Sequence, residues 1–233
     1  MSAHENPLGA GMRRQTLGDL LCRTAARAPS KTAIVCGEVN WTYAEFDLIC
    51  NRLANGLGAQ GVSAGDRVAI LSRNSHAFAA LRFAAARLGA VLVPINFMLK
   101  AEEVAYILKS SGASLLAVGP EFLELGRDAV SRGTSVRQIA WLPGEQSSES
   151  AAGLATFDAL MDASGTPPPS ALDARMLAQI VYTSGTESLP KGAMLTHEVR
   201  PKSRRSRPCS SPRTRSGRRD RQESPCSMSR PAS

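Results

Sequence analysis

The sequence predicts an α/β fold in which a parallel sheet is flanked by helices, followed by a disordered basic tail. Short apolar strands alternate with amphipathic helices from residue 67 to residue 141, which is typical of βαβ units with a sheet buried on both faces. The composition, 43% hydrophobic and 21% charged, is that of a globular chain. Apolar residues become sparse after His197, and such a segment cannot build a core.

The first predicted elements are two helices separated by a small hairpin. A threonine stands three positions before an acidic residue in Thr16–Asp19 and again in Thr42–Glu45, the spacing of helix N-terminal caps. Between these helices, the β-rich run TAIVC, the turn signal GEVN and Trp41 predict two short antiparallel strands.

The next elements predict the parallel sheet. In order, they are a strand at 67–72, a helix at 75–88, a strand at 91–95, a helix at 101–110, a strand at 114–118, a helix near 121–131 and a strand at 136–141. Residues 143–170 are rich in Gly, Ser and Pro and predict a surface excursion around one short helical piece. Residues 179–182 predict a further buried strand.

The formal charge of +8 belongs to one end of the chain. Residues 198–233 hold 11 basic and 3 acidic side chains, so residues 1–197 are neutral overall. One interpretation is a basic arm that binds nucleic acid, although the tail has no aromatic residue for base stacking. The other is a lost reading frame, which we favour because out-of-frame GC-rich DNA yields Arg, Ser, Pro and Cys. We therefore divide the chain into a flexible N-terminus (1–15), a folded part (16–197) and a tail (198–233).

The five cysteines, Cys22, Cys36, Cys50, Cys209 and Cys226, form neither a CxxC pair nor a Cys/His cluster. Reduced thiols in the cytoplasm are the simplest interpretation. The N-terminus lacks the apolar segment of a signal peptide, and the apolar stretch 83–95 is too short and too interrupted to span a membrane. We expect a protein without a membrane span, whose oligomeric state the sequence leaves open.

The most informative segment, TSGTESLPKG at 183–192, follows a predicted buried strand. Glycines let backbone N–H groups turn toward an anion, hydroxyls add donors, and Lys191 adds positive charge, so the segment predicts a phosphate-binding loop. It is not a Walker A loop, because Pro190 and Gly192 replace the required Gly and Ser/Thr. It also lacks the G-x-S-x-G pattern of hydrolases.

TSGTESLPKG resembles the TSGTTGxPKG signature of AMP-forming ligases, the superfamily of acyl-CoA synthetases, luciferases and peptide-synthetase adenylation domains. GVSAGDRVAILSRNS and ARLGAVLVPINFMLKAEEVAYIL resemble two upstream segments of the same family, in the same order. The resemblance covers roughly residues 16–197 and implies an incomplete N-terminal adenylate-forming domain, that of a fatty-acid–CoA ligase. A Glu187-Ser188 pair replaces the usual Thr-Gly and resembles a variant of bacterial fatty-acyl-CoA ligases.

The resemblance also implies residue roles. Phosphate contacts would come from the loop residues Thr183, Ser184, Gly185, Thr186, Glu187, Ser188 and Lys191. Lys191 would be the catalytic cation and Thr183 would contribute to a Mg²⁺ site. The plain alternative is a polar surface loop between strands.

By the same resemblance, the expected substrates are ATP, a carboxylic acid and coenzyme A, which give acyl-adenylate and then acyl-CoA. The family's adenine, ribose and acyl contacts follow this loop and cannot be assigned here, so we expect the chain alone to be inactive. The alternatives are a nucleotide-binding stub and a basic-tailed nucleic-acid-binding protein.

Four further features have structural interpretations. His4 lies in the flexible start, His76 is expected to cap a helix or face solvent, and His197 to cap a following helix. Glu102 and Glu103 are adjacent on a helix and point apart, so we expect a solvated first turn.

Overall fold

The computed structural model describes residues 16–145, 153–169, 172–183 and 189–198. The predictions for residues 1–15 and for nearly all of the tail lie outside these ranges. The helices in the described ranges are α1 (Leu17–Arg27), α2 (Tyr43–Ala59), α3 (His76–Leu88), α4 (Ala101–Ser111), a 3₁₀ turn (Pro120–Phe122) and α5 (Leu123–Ser131).

The predicted helix caps are confirmed. The amide of Asp19 donates to the hydroxyl of Thr16 at 3.2 Å, and the amide of Glu45 donates to that of Thr42 at 3.3 Å. Each carboxylate in turn accepts a hydrogen bond from the backbone N–H of its threonine. Both capping boxes satisfy N–H groups that the helix itself leaves unpaired.

The strands of the described residues are β1 (Thr32–Cys36), β2 (Val39–Thr42), β3 (Arg67–Leu71), β4 (Val91–Pro94), β5 (Leu115–Val118), β6 (Gln138–Trp141), β7 (Ala155–Thr156), β8 (Leu177–Thr183) and β9 (Lys191–Thr196). Strands β1 and β2 form the predicted antiparallel hairpin. The other seven form one sheet in the order β7-β6-β5-β3-β4-β8-β9, in which β9 alone is antiparallel to its neighbour.

The large sheet is buried on both faces, as the apolar strands predict. Val68 and Ile70 of β3 point into a core formed with α2 and α3. Their neighbours Ala69 and Leu71 point to the opposite face, into a core formed with α4 and α5. The alternation follows from the two-residue period of a strand.

A buried charge network joins two helices, and a third helix packs against it. The guanidinium of Arg87 in α3 is 7% exposed and donates to the backbone carbonyl of Asp47 at 2.9 Å. It also donates to the Asp47 carboxylate and to the amide oxygen of Asn51, both in α2. The stem of Arg87 lies 3.0 Å from where a Cβ on Gly18 of α1 would be. The network therefore fixes α1, α2 and α3 against one another.

The prediction that residues 143–170 form a surface excursion is wrong for the second half of that segment. Strand β7 extends the sheet beside β6, and Phe157 and Leu160 are 5% and 0% exposed in the core beside α2. Residues 157–160 form a turn, where a helical piece was expected. Apolar burial outweighed the turn-forming composition around it. The segment approaches α2 closely because Gly56 has no side chain: a Cβ there would lie 1.8 Å from the backbone carbonyl oxygen of Leu160.

Candidate phosphate-binding hairpin

The predicted phosphate loop connects β8 to β9. Strand β8 lies parallel to β4, so its carboxyl end is at the sheet edge where α/β proteins bind ligands. Thr183 pairs with Lys191 across the hairpin, and Tyr182 pairs with Gly192. The predicted loop, which ran to Gly192, was therefore too long. Lys191 and Gly192 begin strand β9, because their backbone groups pair with β8.

Thr183 and Lys191 face each other at the base of the loop. Both residues are exposed, and the Thr183 hydroxyl donates to the Lys191 carbonyl at 3.5 Å. Within the described ranges, the Lys191 ammonium makes neither an ion pair nor a hydrogen bond. One hydroxyl and one uncommitted cation thus lie at the two ends of the loop, both able to meet an anion bound between them.

Gly192 lets the hairpin close tightly on its own side chains. A Cβ at this position would lie 2.9 Å from Ile180 Cγ2 and 3.2 Å from the Tyr182 ring. The Tyr182 hydroxyl donates to Ser110 Oγ on α4 at 3.1 Å or accepts from it. This link between the hairpin and α4 had no signal in the sequence, since the two residues are 72 positions apart.

The remaining predicted loop residues, Ser184, Gly185, Thr186, Glu187 and Ser188, lie outside the described residues. Their phosphate-binding roles stay predictions.

Two histidines are buried. For His76 this differs from the sequence interpretation, whereas the helix that His197 was expected to cap would lie outside the described residues. His76 is the first residue of α3 and 8% exposed, and Ser75 supplies the cap that His76 was expected to provide. His197 is 0% exposed, and neither of its ring nitrogens has a partner in the described ranges. Burial lowers the pKa of both imidazoles, opposed by the charge of Asp158 near His76 and of Asp19 near His197. Both side chains are therefore neutral near pH 7.

The paired acids at 102–103 are a helix start, as predicted. Glu103 accepts a hydrogen bond from the Lys100 amide at 2.9 Å, whereas Glu102 faces Arg132 at 3.5 Å.

Among the residues that the structure describes, no group of three or more His, Cys, Asp or Glu side chains could hold a metal ion. Burial raises the pKa of the Cys50 thiol to about 12, so this cysteine is unreactive. No helix in the described ranges is both long and apolar enough to cross a membrane.

The described fold is a parallel sheet flanked by helices, and the sequence that connects β8 to β9 carries the Ser/Thr/Gly-rich motif at 183–192. The family model of AMP-binding enzymes matches residues 21–207. The chain belongs to this family, whose relatives here are adenylate-forming acid–CoA ligases.

Two curated relatives show the range of the family. A feruloyl-CoA synthase from Amycolatopsis is 41% identical over 186 residues, which are 80% of this chain and 34% of that protein. The long-chain-fatty-acid–CoA ligase FadD13 from Mycobacterium tuberculosis is 35% identical over 190 residues, 79% of this chain and 35% of that protein. The chain thus spans about a third of the length of the curated relatives it matches.

Crystal structures of similar proteins share the fold. The N-terminal domain of FACL13 from Mycobacterium tuberculosis superposes with a TM-score of 0.66 at 32% identity, over 78% of this chain and 44% of that one. The anthranilate CoA ligase AuaEII superposes with a TM-score of 0.72 at 26% identity, over 78% of this chain and 35% of that one. The incomplete N-terminal adenylate-forming domain implied by the sequence resemblance is confirmed.

Proposed function

We propose that the β8–β9 hairpin binds the β- and γ-phosphates of ATP in a ligase that activates a carboxylic acid. The observation that carries the proposal is the pairing of Thr183 with Lys191 at the base of a loop rich in hydroxyls and glycine. Membership of the AMP-binding family supplies the reaction class.

The reaction has two steps. A carboxylate oxygen attacks the α-phosphorus of ATP, and the bond to the bridging oxygen breaks to release pyrophosphate. The sulfur of coenzyme A then attacks the acyl carbonyl, its proton is lost and AMP leaves. The hairpin acts in the first step, because holding the leaving pyrophosphate and offsetting its growing charge lowers the barrier without a protein nucleophile.

Within this site, we assign the phosphate contact to Lys191 and one position in a Mg²⁺ shell to Thr183. The donor types fit: an exposed ammonium suits a phosphate oxygen, and Mg²⁺ commonly takes one or two protein oxygens beside water and substrate phosphates. The carboxylate of Glu187 would repel the triphosphate unless Mg²⁺ or Lys191 offsets its charge.

We propose that the acid is a fatty acid, because the Glu187-Ser188 pair in the loop resembles a variant of bacterial fatty-acyl-CoA ligases. The 35% identity to FadD13 supports this choice. The 41% identity to a feruloyl-CoA synthase favours a second candidate, an aromatic propenoic acid. A panel that contains both classes separates them.

We also propose that this chain binds MgATP but does not turn over alone, because no residue of its sequence is assigned to the adenine, ribose or acyl contacts. Isothermal titration with MgATP measures the first half of this proposal. Exchange of labelled pyrophosphate into ATP, with palmitate and ferulate as test acids, measures the second. Saturable binding without acid-dependent exchange is the expected result. Exchange with either acid would refute the proposal that the chain is inactive alone, and would identify its substrate class. Absence of MgATP binding would refute the assignment of the hairpin as the phosphate site.

A further inference from the structure

A second concave site lies away from the hairpin. It is a cavity of about 780 Å³ between the β1–β2 hairpin, the carboxyl end of β6 and the turn after β7. Neither Thr183 nor Lys191 lines it. The proposed function does not use this cavity, so its role can be considered on its own.

Aromatic rings form much of the cavity wall. Trp41, Trp141 and Phe157 line it together with His76. The Trp41 and Phe157 rings both meet the His76 ring edge to face, with centroids 5.1 and 6.2 Å away. Because each ring is held by its neighbours, the wall is preformed. Aromatic faces attract cations through the ring quadrupole.

The rim of the cavity is acidic. Glu38, Glu145 and Asp158 line it, and all three are exposed. None of these carboxylates takes part in a hydrogen bond or ion pair with another residue in the described ranges. Arg52 is the one basic side chain among the lining residues that the structure describes, and its Nε is committed to the carbonyl of Asp162 at 2.9 Å. That carbonyl is neutral, so Arg52 keeps its positive charge and offsets one of the three carboxylates. The rim still carries a net negative charge.

His76 adds an uncharged ring to the cavity wall. The residue is 8% exposed and lines the cavity, and its Nδ1 is buried with no hydrogen-bond partner in the described ranges. Burial lowers the pKa of the imidazole despite the opposing charge of Asp158. A neutral imidazole adds no positive charge to the wall, so it does not oppose a bound cation.

We propose that this cavity binds an organic ammonium ion with an apolar body. The ammonium group would lie among the three rim carboxylates and donate N–H hydrogen bonds to their oxygens. The apolar body would pack on Trp41 and Phe157. A carboxylate ligand of the same shape is disfavoured, because it would meet like charges at the rim.

Both tryptophans of the chain line the cavity, so their fluorescence reports on this site alone. We expect saturable binding of phenethylammonium to the full chain by isothermal titration, accompanied by a change in tryptophan emission. The neutral phenethyl alcohol and the anionic 3-phenylpropionate serve as isosteres and should bind at least several-fold more weakly. Equal affinity for all three, or absence of saturable binding of the ammonium ion, would overturn the proposal.

Two variants locate the charge. Glu145→Gln and Asp158→Asn should each weaken phenethylammonium binding about threefold, the effect of one exposed charge pair. Glu124→Gln on α5 is the control, since its carboxylate is 86% exposed and does not line the cavity. If the two rim variants bind as tightly as the control, the acidic rim does not recognise the ligand. None of these measurements involves ATP, so their outcome is independent of the hairpin's function.

Discussion

Lys191 and Thr183 show how a strand pair can prepare an anion site. Backbone pairing in β8–β9 fixes the two residues opposite each other, while both side chains stay at the surface. The pairing therefore holds the backbone of the residue that carries the cation opposite that of the residue that carries the hydroxyl.

Replacing Lys191 by Ala should weaken MgATP binding by roughly ten- to a hundredfold, since a charge-assisted hydrogen bond contributes roughly 1.5–3 kcal/mol. Isothermal titration measures the change. Lys31→Ala is the control, because Lys31 is an exposed lysine next to β1, which belongs to a different sheet from β8. Equal losses in both variants would indicate general electrostatics instead of a contact at the hairpin.

His197 should make stability depend on pH. Burial lowers its folded pKa below the unfolded value of about 6.5, so the unfolded state binds more protons as the pH falls through that value. The free energy of unfolding is then highest above pH 6.5 and decreases on acidification. Urea unfolding between pH 7 and pH 5 should show this slope, with a shallower slope for His197→Phe. His76 contributes with the same sign, and an unchanged slope in the variant would assign the effect to other groups.

At the scale of elements, the β8–β9 hairpin depends on the absence of a side chain at Gly192. A larger residue would collide with Ile180 and Tyr182, whose ring is held to α4 through Ser110.

Gly192→Val should therefore lower the free energy of unfolding by about 1–3 kcal/mol, as overpacking does. Ala193→Val on the same strand is the matched control, because Ala193 is exposed. Urea midpoints compare the two. A smaller loss in Gly192→Val than in Ala193→Val would contradict the tight closure.

The buried Arg87 network joins α2 and α3, and α1 packs against it. Arg87→Ala should cost about 3–5 kcal/mol, because it leaves the Asp47 carboxylate without its partner in a partly buried position. Arg82→Ala on the same helix, where the arginine makes no ion pair to a described residue, should cost much less. Thermal unfolding measures both, and similar losses would show that helix propensity, not the network, determines the effect.

At the scale of the whole domain, residues 153–165 complete the core instead of passing over it. Asp162 N–H donates to the Arg52 carbonyl at 2.9 Å, and the Asn51 amide donates to the Gly165 carbonyl at 3.0 Å. These bonds attach the segment to α2 along its length.

Leu160→Ala should destabilise the protein by roughly 2–5 kcal/mol, the range for a fully buried leucine. Leu189→Ala, at a position 61% exposed, is the matched control, with an expected change within about 0.5 kcal/mol. Chemical unfolding followed by far-UV circular dichroism tests the pair. A loss below about 1 kcal/mol for Leu160→Ala would mean that the segment does not belong to the core.

Local patterns predicted most elements because their signals lie within a few residues. The Thr42–Glu45 capping box and the apolar strand at 67–72 each needed only their own neighbours to be recognised. The segment around Leu160 was misinterpreted because Gly, Ser and Pro dominate the stretches on either side of it. Its close contact with Gly56 joins residues about a hundred positions apart, which no local pattern shows.

The sequence by itself determined the α/β class, the caps, the family and the phosphate-loop motif at 183–192. Each depends on residue types at short spacings. Only the tertiary structure decided that Lys191 begins a strand opposite Thr183, that Tyr182 is held to α4, and that Trp41, Trp141 and His76 line one cavity. Such arrangements depend on contacts between residues far apart in the chain, and a linear pattern does not contain the distances that create them.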